Sequence, residues 1–385
     1  VIWPQEGSKM PLGIEIMHWD ERVGAEIIAS HPEELMIQEK TLMQLYSQHE
    51  FTGEKGMVSL MTGSTHLTSY YTGPETAVYV VLVLNMDEDG DAYEEGLSEI
   101  SRQIMMDLDP DVLGAILPSL FQRLSVYPTL NNEQRLALLY NNEVKRMILQ
   151  RLKEEVAVIK SEITIWLKDT HRESFVDVES ILSSMIKTTL IKVSSVEGMA
   201  SDVIFLAKDI MMLRRPPMNL FRDPVDHHMP ESLKDAYRTD IISFFKNYTP
   251  NQQDNLEIIE KVILNPPVYE VLKLMREAVV TLNDVEKLRK KGVDDVEGAL
   301  QDLWKTKMIG VFKDDSGQEY YGLITDFYVD FYFPRFLLNN IRHQYKLNIH
   351  NPNTLLKALN LMKEEYFSMD RAKKAALKAS ALETS

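Results

Sequence analysis

Residues 177–193 read DVESILSSMIKTTLIKV, and residues 295–311 read DVEGALQDLWKTKMIGV. At a constant offset of 118, eight of the seventeen positions are identical, and the apolar substitutions among the rest are mild. Downstream, FLAKDIMMLRRP (205–216) parallels LITDFYVDFYFP (323–334) at nearly the same offset. Two copies of one supersecondary unit explain this self-similarity.

The second copy spells the unit out. Pro267 stands where its missing N–H costs nothing and opens a first helix over 268–277. Asn283 is placed to cap a second helix over 284–291, which Gly292 ends as a left-handed C-cap. A third helix spans 293–306, with Val296, Leu300, Leu303 and Trp304 expected to face inward. Strands over 309–313 and 318–326 flank Asp314-Asp315-Ser316-Gly317, a turn-rich hairpin tip. In the first copy the helices fall at 142–154, 160–171 and 176–188, and the hairpin pairs 190–193 with 202–206 around Gly198.

Three helices followed by a β-hairpin resemble the winged-helix domain. The resemblance divides the later chain into winged helix 1 (140–216), a helical linker (217–266), winged helix 2 (267–334) and C-terminal helices (335–385). Pro216-Pro217 and Pro224 stop regular structure at the start of the linker, and helices near 233–246 and 254–262 follow.

Residues 10–125 have another pattern. LGIEIMH (12–18) alternates apolar and polar side chains like a half-buried strand, and 25–30 continues as a second. The stretch 32–46 has Leu35, Leu42, Met43 and Leu45 at helical spacing, with Pro32 near its start. A hairpin pairs 57–62 with 66–71 around Gly63-Ser64. The continuous apolar, β-branched run over 78–84 reads as a central strand buried on both faces. Helices over 92–108 and 112–124 complete the segment.

That order of two strands, helix, three strands and two helices resembles the longin fold, a relative of the roadblock fold. The resemblance implies a non-catalytic platform in small-GTPase regulation, trafficking or motility complexes. Profilin-like sensor folds share the strand count and leave a small-ligand sensor open. The expected fold class is therefore α+β: a longin-like α/β domain (10–125), then two winged helices with a helical linker and a helical tail.

Charge is unevenly spread. The chain has 42 Lys+Arg against 58 Asp+Glu, a net of -16, and residues 1–125 hold 21 acidic but only 6 basic side chains. Such a field repels nucleic acid and anionic lipid and attracts a protein partner with a basic surface. Cysteine is absent, which removes disulfides, thiolate zinc sites, iron–sulfur clusters and cysteine nucleophiles. The longest apolar run, over 77–84, is far short of the roughly 20 residues a membrane helix needs. No signal-peptide layout opens the chain, so a cytoplasmic protein without a membrane span is expected.

No phosphate loop, dinucleotide fingerprint or H-E-x-x-H zinc helix occurs. NMDEDGDAYEEG (85–96) spaces its oxygens like a calcium loop, but Gly96 replaces the bidentate Glu, so it reads as an acidic helix N-terminus. His227-His228 would diverge in an extended chain, and Ser64 with His66 lacks a nucleophile elbow. No catalytic residue, cofactor or metal is expected, and the chain is not expected to be an enzyme.

A DNA-reading winged helix carries Arg, Lys, Asn or Gln on its third helix. Here the first copy offers Asp177, Glu179 and only Lys187. In the second, Asp294, Asp295, Glu297 and Asp302 outweigh Lys305 and Lys307, and the wing adds Asp314 and Asp315. Candidate protein contacts are Asp294, Glu297, Asp302 and Asp314. The aromatic run FYVDFYFPRF (327–336) reads first as a strand or helix wedged between the second winged helix and the closing helices. Read instead as a partner or self-association surface, it adds Phe331 and Tyr332 to these candidates, with Asp330 at a rim or paired with Arg335. The basic cluster Lys287, Arg289, Lys290 and Lys291 is the alternative, nucleic-acid candidate.

Tandem winged helices with acidic recognition helices resemble ESCRT-II subunits and the kleisin-binding subunits of condensin. Joined to a longin-like domain, they resemble archaeal regulatory proteins that link small-GTPase-associated folds to winged helices. The expected function is a non-enzymatic adaptor or regulator that scaffolds a small-GTPase-linked or other cytoplasmic assembly, with homodimers allowed. The alternative is a DNA-binding transcriptional regulator whose N-terminal domain senses or dimerises.

Overall fold

The apolar run at 78–84 becomes the middle strand of a five-stranded antiparallel sheet, and every residue in it is buried. The fold is seen in a computed structural model that describes residues 11–20, 22–52, 55–63, 65–74, 76–170, 178–291, 293 and 295–383. It is mixed α+β with antiparallel sheets, and the chain divides into two compact units at Leu130/Asn131.

The first unit runs β1 (Gly13–Asp20), β2 (Gly24–His31), α1 (Glu39–Thr52), β3 (Gly56–Thr62), β4 (Thr65–Tyr71), β5 (Val78–Leu84), α2 (Glu94–Ile104) and α3 (Pro110–Ser125). Its sheet order is β2-β1-β5-β4-β3. Alternate β5 side chains serve the two faces. Tyr79, Val81 and Val83 join Leu42 and Leu45 of α1 in one core. On the other face α2 approaches β4, where the Ser98 hydroxyl meets Tyr70. Helix α1 begins at Glu39 and not at Pro32, because Leu35 and Ile37 pack against the sheet core from an irregular connector.

Two titratable groups are sealed into this unit. Glu15 on β1 is buried, its Oε1 meets no hydrogen-bond donor, and burial pushes its carboxyl up to about 7. His49 on α1 has its Nε2 2.6 Å from the Ser69 hydroxyl, and burial holds its imidazole down to about 4. Their linkages oppose each other. Unfolding releases the Glu15 proton between its ordinary value and pH 7, so stability falls as pH rises through that window. Unfolding lets His49 gain a proton between pH 4 and its ordinary value, so stability rises with pH there. The two slopes, each worth roughly 3 kcal/mol in all, nearly cancel from about pH 4.5 to 6.5. Glu15→Gln should therefore expose a unit that gains stability with pH, and His49→Gln one that loses it. Hydrogen-exchange protection of β1 and β5 across that range reads both.

In the second unit α4 (Asn132–Asn141) leads into α5 (Glu143–Glu155), β6 (Ala157–Ile159), α6 (Lys160–Thr170) and α7 (Val178–Lys187). The hairpin β7 (Ile191–Ser194) and β8 (Val203–Leu206) follows, then β9 (Asp209–Arg215). The connection holds α8 (Met218–Arg222), α9 (Lys234–Asn247) and α10 (Gln252–Ile258), which runs on as a π-helical turn over Ile259–Ile263. The second copy is α11 (Pro266–Glu277), α12 (Leu282–Glu286), α13 (Val296–Lys305), β10 (Ile309–Lys313), β11 (Glu319–Leu323) and β12 (Asp326–Tyr332). Helices α14 (Leu337–Leu347) and α15 (Pro352–Glu383) close the chain.

The duplication holds atom by atom. Thr188 and Thr306 each return their hydroxyl to a carbonyl four residues back, Ser184 and Asp302. Thr189 (φ 59°) and Lys307 (φ 57°) then leave the helix in the left-handed region. After the hairpins the offset drops to 117, because the second hairpin is one residue shorter. Asp209 is thus matched by Asp326, and each accepts from the next backbone N–H, at 2.8 and 2.9 Å. Thr281, not Asn283, caps α12 in a box with Asp284, whose carboxyl Lys287 and Thr281 hold down to about 2. Gly292 lies outside the described residues.

Strands β9 and β12 pair with each other, antiparallel over seven residues. Met212 pairs with Val329, its own counterpart at offset 117, so a local two-fold axis passes through that pair. At each end a buried aspartate meets a cation from its copy's first helix and a partner across the ribbon. Asp209 takes Lys153 at 2.8 Å and the Tyr332 hydroxyl at 2.6 Å. Asp326 takes Arg276 and Arg215, both at 2.8 Å.

The trailing helices change sides. Helix α9 follows the first copy but covers the second: Tyr237 donates to Leu323 O at 2.7 Å and stands edge-on to Phe312. A Cβ at Gly322 would come within 2.8 Å of the Tyr237 ring, so glycine lets α9 sit this close. Helices α14 and α15 follow the second copy but cover the first. Asn340 and Gln344 donate to Lys153 O and Glu154 O at the end of α5. Buried Glu365 lies 3.5 Å from Lys192 and 3.2 Å from Lys208. The segments expected as winged helix 1, linker, winged helix 2 and tail consequently share one core.

Candidate interaction surfaces

The third helices α7 and α13 each bury one stripe. In α13 it is Val296, Ala299, Leu300 and Leu303, set by the N-cap Asp295, whose side chain accepts from Gly298 N. Trp304 was expected in that stripe and is instead 59% exposed, since it lies about 100° around the helix from Leu303. Its counterpart at offset 118, Ile186 on α7, is also exposed, at 41%. Both copies thus present a large apolar side chain at one third-helix position, each followed by lysine, Lys187 or Lys305. An exposed apolar side chain at this position adds nothing to phosphate binding.

The acidic candidates are largely occupied. Glu297 is exposed and accepts from Arg289. Its own backbone N–H, then Arg289, lowers its carboxyl below the ordinary range. Asp302 is half-buried on the side of the exposed Lys261. Asp314 builds the β10–β11 hairpin turn: Oδ1 accepts from Ser316 Oγ, Ser316 N and Gln318 N, and these bonds, the Ser316 hydroxyl first, lower its carboxyl. Asp294 lies outside the described residues, as do Asp177 and Ser64.

Phe331 and Tyr332, candidate contacts under the surface reading of the run, are half-buried in the inter-repeat ribbon, so the reading of the run as packed structure is the one that fits. Lys208 Nζ sits 5.0 Å from the Phe331 ring centre, and Tyr332 is held by Asp209. Asp330 does not pair with Arg335; it accepts from the Tyr328 hydroxyl at 2.6 Å.

Two of the basic candidates pair within their own copy while staying exposed. Lys287 reaches Asp284 at 2.8 Å, and Arg289 reaches Glu297. Lys290 is exposed, and Lys291 ends the 3-10 turn Lys287–Lys291. Elsewhere, the 85–96 loop uses its own oxygens: Glu88 accepts from Asn85 and Tyr93, and Asp89 caps the turn at Gly90–Tyr93. His66 is buried with Nδ1 3.3 Å from Asn85 O, and His227 Nδ1 lies 2.8 Å from Glu277 O. Among the described residues no group of three or more His, Asp or Glu is arranged to hold a metal ion, and no helix is long and apolar enough to cross a membrane.

The signal that reasoning from sequence missed was already in the repeat alignment: position ten holds isoleucine in one copy and tryptophan in the other. Comparison of the chain with protein-family models, with curated proteins and with solved structures finds no match.

Proposed function

We propose that this chain is a non-enzymatic protein-interaction adaptor of the cytoplasm, built from a longin-like platform and two winged helices, with a small-GTPase-linked assembly as its setting. The β2-β1-β5-β4-β3 order with helices on both faces supports the platform reading. Two units of three helices and a hairpin, the first with β6 completing a β6-β8-β7 sheet, support the winged helices. The observation that carries the function is the paired exposure of Ile186 and Trp304 where a DNA reader would present cations.

The test is capture of partners on the full chain from native extract treated with nuclease. A protein partner should persist, and Trp304→Ala should weaken it at least about thirtyfold, the scale of an aromatic hot spot. Lys287→Ala with Arg289→Ala should leave it unchanged. Partners that vanish with nuclease, or salt-sensitive duplex binding lost in the Lys287/Arg289 variant, would mean a DNA-binding regulator.

A further inference from the structure

Helices α9 and α15 do the same work, each trailing one copy and covering the hairpin of the other, yet their outer faces differ. That of α9 is polar, with Asp235, Thr239, Asp240, Ser243 and Lys246 exposed and Ile242 the lone large apolar group. On α15 the outer stripe is Leu356, Lys363, Phe367 and Arg371, all exposed, with the exposed carboxylate Glu364 beside them, while Leu355, Ala358, Leu361 and Met362 are buried on the inner side. Helix α14 repeats the pattern with Leu338, Arg342 and Tyr345, one above another at i, i+4 and i+7. Covering a hairpin does not require this, as α9 demonstrates.

The charge of the same segment is inverted. Residues 335–385 carry nine Lys and Arg against four Asp and Glu, a net of +5 in a chain of net -16, so everything before them carries -21. Basic side chains therefore alternate with large apolar ones along two adjoining helices at the only strongly positive end of the sequence. Long cationic stems can lie beside sunken leucine and aromatic groups while their heads stay at the surface.

We propose that the outer face of α14 and of α15 as far as Arg371 docks on an anionic lipid bilayer. A bilayer suits the face better than an acidic protein does, because the apolar groups are strung between cations along both helices. A deformable interface accepts that layout, while a shaped protein partner would want them gathered. Tyr345 and Phe367 would sit at the headgroup level, and Arg342, Lys363 and Arg371 would meet the lipid phosphates. The proposal stands apart from the third-helix reading, since it involves neither Ile186 nor Trp304.

The experiment is flotation of the full chain with phosphatidylcholine vesicles, alone or with about 30% phosphatidylserine. The chain should float with the anionic vesicles, about tenfold less with neutral ones, and less again at about 0.5 M salt. Tyr345→Ser with Phe367→Ser, both at exposed positions, should cut flotation about tenfold with the thermal melt unchanged. Arg342→Glu with Lys363→Glu should do the same. Absence of flotation, or flotation indifferent to both variants, overturns the proposal. So does a double serine variant that converts a dimer to a monomer while the wild type ignores vesicles, since the face would then join two copies.

Discussion

Ending the chain after Phe333, which removes α14 and α15, should unfold the first copy before the second. The deletion lies next to the second copy in sequence, so the effect is remote from the cut. It withdraws Leu337, Ile341, Leu355, Leu361 and Met362 from the shared core. At about 1.5–3 kcal/mol for each buried side chain, the loss approaches the whole roughly 5–15 kcal/mol by which a typical domain is stable. It also strips the caps from the end of α5 and leaves Lys192 and Lys208 without Glu365. Hydrogen exchange should show protection lost across 143–206 while β10 and β11 retain more of theirs. Equal protection of 143–206 in the truncated and full chains would sink the idea that trailing helices serve the opposite copy.

Arg214→Ala should destabilise the second unit by about 3–5 kcal/mol, the usual cost of breaking a buried pair from one side. Arg214 on β9 is almost fully enclosed. It donates to both carboxylate oxygens of Asp254 at 2.6 and 2.8 Å, to Thr306 O at 2.7 Å and to the Thr325 hydroxyl at 3.0 Å. One guanidinium thus ties the first copy's strand to the connection and to the end of the second copy's third helix. Burial tends to raise the Asp254 carboxyl, but Arg214 outweighs it and the group stays below its ordinary range. Arg214→Lys should recover little, because an ammonium cannot reproduce the fork. Arg214→Met with Asp254→Leu should recover much of the loss, as both desolvated charges are then gone. Urea midpoints of the four proteins decide it; a single variant costing under about 1 kcal/mol would show the pair to be a surface bridge in effect.

Much of this architecture was legible in the sequence, and the exceptions have separate causes. Strand β5, the hairpins and the helix stripes are local patterns, and the aligned copies located each other's elements. Which strand pairs with β9 is not local. IMMLRR and FYVDFY carry no mark of being partners, so the aromatic run could be read as a packed element but not as half of a seam with β9. Trp304 illustrates a different limit: it adjoins Leu303, and a hydrophobicity pattern cannot say which of two adjacent apolar residues turns outward. The cap of α12 went to Thr281 because Asp284 could bond back to it, a reciprocal fit that outcompetes a nearer asparagine.

The self-paired Met212–Val329 step has an evolutionary meaning. An isologous interface between two separate chains forces every substitution to appear twice, once on each side of the axis. Here both sides are encoded separately in one polypeptide, and the association no longer depends on concentration. Each half can therefore vary without its twin, as the aligned positions that hold isoleucine at 186 and tryptophan at 304 already differ.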